Sequence, residues 1–172
     1  MPITYTSGEQ VEVYRFSIPA TILVPLLALF LQAFIPWRFP WFSIFDLPLL
    51  VTIYFGMARR NPITGLLTGA GIGLVQDALG HYPIGVYGIA KTVVGFGASS
   101  LGVKLDVENA GARLLVTLGF YLLHQAVYFT VARGMVNLTL NWSWSHDILA
   151  GLANAVLGVG LYFILDKLKQ RA

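Results

Sequence analysis

The chain has 172 residues, of which 56% are hydrophobic and only 11% charged, with a formal net charge of +3 and a mean hydropathy of +0.71. An average soluble domain is about a quarter charged, and roughly a third of the surface of a chain this size stays wet after folding, so a water-soluble globule is excluded. Cysteine is absent, which removes disulfides, thiolate metal sites and a cysteine nucleophile. The 11 Lys and Arg residues fall singly or in pairs, leaving no basic stripe for nucleic acid.

A membrane-spanning helix needs about 20 predominantly apolar residues, and six segments approach that standard. Residues 1–15 read as a short cytoplasmic arm. Its Thr4, Thr6, Ser7, Glu9, Gln10 and Glu12 make it polar, not basic, and the apolar stretch behind it is too long for a signal-peptide core. The first span runs from Phe16 to Ile35 and holds no charge. Pro19 and Pro25 each remove a backbone bond and predict a kink, although Pro19 is also near enough to the helix start to be simply tolerated there. The second span, Phe42 to Ala58, carries Asp46 near its start, close to the interface and placed as an N-cap ahead of Leu47-Pro48.

The third span, Pro62 to Gly80, opens with Asn61 as cap and a proline at the first helical position, and it contains Asp77. Pro83 separates it from the fourth, Gly85 to Val103, which contains Lys91. The fifth, Arg113 to Ala132, offers His124 and Gln125 for hydrogen bonds across helices, and the sixth runs from Asp147 to Leu165. The expected organisation is an all-α polytopic bundle of six transmembrane helices over residues 16–166, with a basic cytoplasmic tail at 167–172.

Orientation follows from the bias of basic residues toward cytoplasmic loops. Assigning alternate loops to one side gathers Arg15, Arg59, Arg60, Lys104, Arg113, Lys167, Lys169 and Arg171 there, against Arg38 and Arg133 opposite. Both termini are therefore expected in the cytoplasm. Trp37, Trp41, Trp142 and Trp144 all fall in or beside the outward loops, where amphipathic rings favour the headgroup layer.

Lipid supplies no hydrophobic drive between helices, so membrane spans associate through small residues and close backbone packing. Gly65, Gly69 and Gly73 recur every four residues on one face of the third span, and Lys91, Gly95 and Ser99 share a face of the fourth at the same spacing. Packing within the bundle explains them simply; docking of another membrane protein is the sharper reading. The run Gly69-Ala70-Gly71-Ile72-Gly73 is no phosphate loop, because it lies inside an apolar span with no strand before it. A charge at the centre of a membrane costs roughly 2.5–3.5 kcal/mol on insertion scales, which singles out Asp77 and Lys91 on either side of the turn Gly80-His81-Tyr82-Pro83-Ile84. Their depths allow an ion pair that fixes this hairpin, or a polar site in the outward half of the bundle. No Ser-His-Asp grouping and no metal-ligand spacing is evident, and no cofactor is implied.

Spans two to four also form a recognisable unit. Asp46-Leu47-Pro48-Leu49-Leu50 opens the second; Gly65-Leu66-Leu67 leads through Gly73-Leu74-Val75-Gln76-Asp77-Ala78-Leu79 to Pro83-Ile84-Gly85 and then Lys91. This stretch, residues 46–105, resembles the bacterial rod-shape-determining membrane protein family MreD. The resemblance implies a non-enzymatic inner-membrane scaffold working with MreC, the actin-like MreB, and the RodA polymerase with its class B penicillin-binding transpeptidase in side-wall peptidoglycan synthesis. A second copy of the chain is a further expected partner. It also implies a fold similar to the substrate-binding subunits of energy-coupling-factor vitamin transporters, with an outward pocket. Asp46, Gln76, Asp77, Pro83, Gly85 and Lys91 are then the candidate partner or pocket residues. The alternative function is such a transporter subunit itself, closing its outward loops over a vitamin; the short, aromatic loop between Asn137 and His146 favours the scaffold.

Overall fold

The computed structural model describes residues 14–104, 109–139 and 143–171. Most of the expected arm, Trp142 and the last residue of the tail lie outside that set. Six helices follow one another: α1 (Ile18–Arg38), α2 (Leu47–Arg59), α3 (Pro62–Leu79), α4 (Val86–Lys104), α5 (Ala110–Gly134) and α6 (Trp144–Leu165). Strand β1 (Tyr14–Phe16) pairs antiparallel with β2 (Lys169–Arg171), with Arg15 opposite Gln170. This short ribbon ties the two ends of the described chain to one end of the bundle, as the alternation of six helices requires.

Most helix starts have a chemical reason. The side chains of Ser17, Asp46, Asn61 and Asn109 accept hydrogen bonds from the first-turn amides of α1, α2, α3 and α5, amides that have no partner inside a helix. Prolines occupy the first turns of α1, α2 and α3, where their missing N–H does no harm. Arg60 closes α2 in the left-handed conformation.

Among the described residues, five segments are long and apolar enough to cross a membrane: α1, the stretch Pro40–Arg59, α4, α5, and α6 with its short extension to Leu168. The expected third span falls short of that apolarity. Its 18 residues carry Gln76, Asp77, two threonines and four glycines, and it is sheltered against α4. The second span begins as the Asp46 cap implied: a 3-10 turn (Pro40–Ile44) is followed by a break at Phe45–Asp46, and α2 begins at Leu47. Pro25 lies inside α1 as expected, and α1 continues through Pro36 to Arg38.

The core is built around α2. Its membrane-crossing stretch is 61% buried, against 17% for α1, so α2 is central and α1 peripheral. Leu49, Leu50, Ile53 and Phe55 of α2 are buried with Val94 and Ala98 of α4 and Ala150 of α6. Leu23, Leu26, Leu27, Phe30 and Phe34 of α1 face outward. In a membrane that face meets lipid or another helix.

The glycine faces of α3 and α4 meet as the spacing predicted. A Cβ placed on Gly65 would strike Ser99 and the Gly95 carbonyl, one on Gly69 the Lys91 carbonyl, one on Gly73 the Tyr87 carbonyl, and one on Gly95 the Gly65 carbonyl. Only glycine allows two backbones to approach this closely.

Charges segregate by end. Arg59, Arg60, Arg113, Lys167 and Lys169 gather at the ribbon end, where Asp166 accepts Arg113 at 2.7 Å, Lys169 at 2.8 Å and the Tyr54 hydroxyl at 3.0 Å. Trp37, Trp41 and Trp144 stand exposed at the opposite end.

Candidate functional site

The break in the second span creates the polar centre of the molecule. Backbone amides and carbonyls released from a helix inside a membrane must find partners within the protein. Two amide side chains provide them. Gln32 of α1 donates to the Phe45 carbonyl at 2.9 Å and accepts from the Leu47 N–H at 3.0 Å. Asn154 of α6 accepts from the Asp46 N–H at 2.8 Å and donates to the Ile44 carbonyl at 2.8 Å. The break is therefore clamped from both sides.

Asp46, at the break, does two things. Its Oδ1 caps α2 by accepting from the Leu49 N–H at 3.0 Å, and its Oδ2 accepts from Lys91 Nζ at 2.7 Å. Lys91 is 0% exposed and Asp46 14%, so the ammonium is enclosed and the carboxylate is the partner that reaches open space. His124 of α5, 1% exposed, completes the group: its Nε2 lies 3.3 Å from Lys91 Nζ and 4.0 Å from Asp46 Oδ2. An ammonium can only donate. Nε2 must therefore accept, which leaves the proton of the neutral ring on Nδ1. Tyr87 covers the cluster, with its ring 4.9 Å from Lys91 Nζ and stacked on His124 at 5.8 Å and 18°.

The expected Asp77–Lys91 pair does not form. Asp77 instead holds the start of α4: its carboxylate accepts from the N–H groups of Gly85 at 2.8 Å, Tyr87 at 3.0 Å and Gly88 at 3.1 Å. The first four amides of a helix have no partner within it and lie at the positive end of its dipole; the Asp77 carboxylate on α3 satisfies three of them, and Val86 N–H donates to the Pro83 carbonyl. Lys91, deeper in α4, reaches across to α2. Gly85 makes the turn possible, with a φ of +107° that suits glycine alone.

Asp46 and Gln76 line a cavity of about 360 Å³ that opens at the tryptophan end, between α1, α3, α5 and the 40–46 segment. Tyr82, Tyr87, Tyr121, His124, Gln125 and His146 share its wall. Asp77, Pro83, Gly85 and Lys91, expected at such a pocket, instead stand behind that wall and support it. Gln76 and His124 line it, but Gln76 Oε1 and His124 Nδ1 are themselves enclosed by protein and turned away from its open space. At the rim Gln125 of α5 donates to Asp147 Oδ1 of α6 at 3.4 Å. Among the described residues no three His, Asp or Glu side chains converge as a metal site.

A sequence model of the rod shape-determining protein MreD matches residues 12–172, nearly the whole chain and far more than the stretch around the two hairpins. The chain belongs to the MreD family. It is a multi-pass membrane protein with a rod shape-determining role. No curated protein and no solved structure matched it. In this MreD-family chain the residues that sequence reasoning missed are Gln32 and Asn154. Each is an amide inside an apolar span, a placement that is costly unless the amide is hydrogen-bonded, and that was the available signal.

Proposed function

We propose that the protein is a non-enzymatic scaffold of the cell-elongation complex in the bacterial inner membrane. It holds MreC, and through that complex, with MreB, RodA and a class B penicillin-binding transpeptidase, helps to direct side-wall peptidoglycan synthesis. The observation carrying this reading is the family match over residues 12–172. The fold is compatible with it: α1 carries an apolar face that no other helix covers, the surface a partner's membrane anchor or a second copy requires. The concentration of Arg and Lys at the ribbon end supports cytoplasmic termini.

Co-expression tests the proposal. The chain and MreC are expected to purify together as a stable complex in detergent, and depletion of the chain is expected to round rod-shaped cells. The competing reading, a vitamin-binding subunit of an energy-coupling-factor transporter, draws on the cavity beside Asp46. Normal cell shape, no MreC complex and a vitamin retained through purification would replace the scaffold with the transporter subunit.

A further inference from the structure

Arg59 is the last residue of the central helix α2, and among the described residues no carboxylate pairs with it. Its guanidinium is nevertheless held in place. Nη2 donates to the Thr21 hydroxyl on α1, and the group lies 5.9 Å from the centre of the Phe16 ring and 5.1 Å from that of Phe55. A guanidinium has five N–H donors, and this one spends a single donor inside the protein. The residue is only partly buried, and none of its nitrogens is among the enclosed atoms that lack a partner. The remaining donors therefore face open space at the ribbon end.

Neighbouring cations are placed differently. Arg113 and Lys169 share the Asp166 carboxylate, and Lys167 is exposed. Fixing an arginine side chain removes about 2 kcal/mol of rotamer freedom, and at Arg59 no ion pair offsets that loss. Its surroundings are electropositive as well. Arg59 is docked on the first turn of α1, which has no acidic residue, and the start of a helix is the positive end of its dipole. At the tryptophan end Asp46, Asp77 and Asp147 place a carboxylate at the starts of α2, α4 and α6. At the ribbon end α1 and α3 start with the uncharged caps Ser17 and Asn61. Over the full sequence the eight basic residues assigned to this end outnumber its acidic ones, Glu9, Glu12, Asp106, Glu108 and Asp166.

A fixed, forked cation without a counter-charge suits one ligand chemistry, because the planar fork matches the oxygens of a phosphate two at a time. Position selects the source of that phosphate. Arg59 ends the membrane-crossing stretch Pro40–Arg59, so its open donors stand where a basic side chain meets the headgroup layer.

We infer that the protein binds one anionic phospholipid at the ribbon end, with the phosphodiester on the Arg59 guanidinium and the acyl chains in the surrounding bilayer. The lipid supplies the negative charge that Arg59 and the start of α1 lack. This inference is independent of the scaffold reading, since it needs neither a protein partner nor the cavity beside Asp46. Native mass spectrometry of the full chain in a neutral detergent tests it, with phosphatidylglycerol, phosphatidylcholine of the same chains, and inorganic phosphate as probes.

The expected result is a saturable one-to-one adduct with phosphatidylglycerol, about tenfold weaker with phosphatidylcholine, which millimolar phosphate does not displace. Arg59→Gln is expected to weaken the adduct about tenfold, and Arg59→Lys, which keeps the charge without the fork, to recover only part of the loss. Lys167→Gln at the same end and Arg38→Gln at the other, both exposed cations, are expected to leave it within about twofold. Unfolding in SDS reports whether each variant is folded. If Arg59→Gln does not fold, Thr21→Val, which keeps the cation but frees its fork, carries the test with an expected loss of about threefold. Unaltered binding in the variant that carries the test, or an equal loss in Lys167→Gln, would mean diffuse attraction and overturn the inference. So would equal adducts with the two lipids, displacement by phosphate, or no saturable adduct. Failure to capture MreC would leave every arm of this experiment unaffected.

Discussion

Gly69→Ala adds one methyl group and should be among the most damaging small substitutions in the chain. The new Cβ would sit on the backbone carbonyl of Lys91, and a backbone atom cannot rotate out of the way. Restoring an ordinary separation of about 3.5 Å requires α3 and α4 to part by on the order of 1 Å. Overpacking of a close-packed core costs about 1–3 kcal/mol, and this clash belongs at the top of that range because Gly65 and Gly73 lose their fit along the same seam. The displaced backbone is also that of Lys91, whose ammonium must stay 2.7 Å from Asp46. A loss of about 3 kcal/mol, roughly a hundredfold in the folding equilibrium, is therefore expected. Gly71→Ala is the control, since its Cβ would meet nothing within 4 Å, and it should be neutral or stabilising by up to about 1 kcal/mol through better helix propensity. Unfolding in dodecyl maltoside micelles titrated with SDS, followed by tryptophan fluorescence, gives both values. If the two variants unfold at the same SDS fraction, the close seam between α3 and α4 is not what holds the bundle.

Lys91→Met strands the Asp46 carboxylate and is expected to destabilise by about 3 kcal/mol, whereas adding Asp46→Asn recovers at least half of that loss; a double-mutant cycle by the same titration decides, and no recovery would disprove the pairing. Asp77→Ala removes the acceptor for three amides and should cost about 2 kcal/mol. Its signature is faster hydrogen exchange at Gly85, Tyr87 and Gly88, and unchanged exchange there would refute the capping role. Asn154→Leu leaves the Asp46 N–H and the Ile44 carbonyl without their shared partner, a loss of about 1–3 kcal/mol. Infrared amide bands shifted toward solvated frequencies would report the opened segment, and a native spectrum with native stability would count against the clamp.

Periodicity made the bundle legible because helix packing in lipid leaves a local trace: the glycines that must lie on one face recur every four residues. The caps were legible for the same reason, since Asp46 and Asn61 act on amides two or three positions away. The pairing of charges was not. Lys91 lies equally within reach of a carboxylate on α3 and one on α2 when only hairpin depth is considered, and the choice depends on where α2 breaks. That break depends in turn on Gln32 and Asn154, which lie 15 and 108 residues from the groups they satisfy. Local spacing carries no record of such a contact. Asp77 illustrates the converse: its partners, Gly85 to Gly88, are near in sequence, and a carboxylate just before a turn into a helix was a readable cap.

Asp46 connects all the parts of this structure that sequence alone left separate. It is the cap of the buried central helix, the counter-ion of Lys91, and the one charged wall of the cavity. Lys91 in turn presents its own carbonyl to Gly69 on the α3–α4 seam. A change at the cavity that moves the Asp46 carboxylate must therefore break a 2.7 Å ion pair, draw the flexible Lys91 stem after it, or carry α4 with it. Close-packed seams shift between discrete arrangements and do not deform smoothly. The tight glycine contact and the hollow beside it are thus joined through two residues, Asp46 and Lys91, which touch one another and each one of the two features.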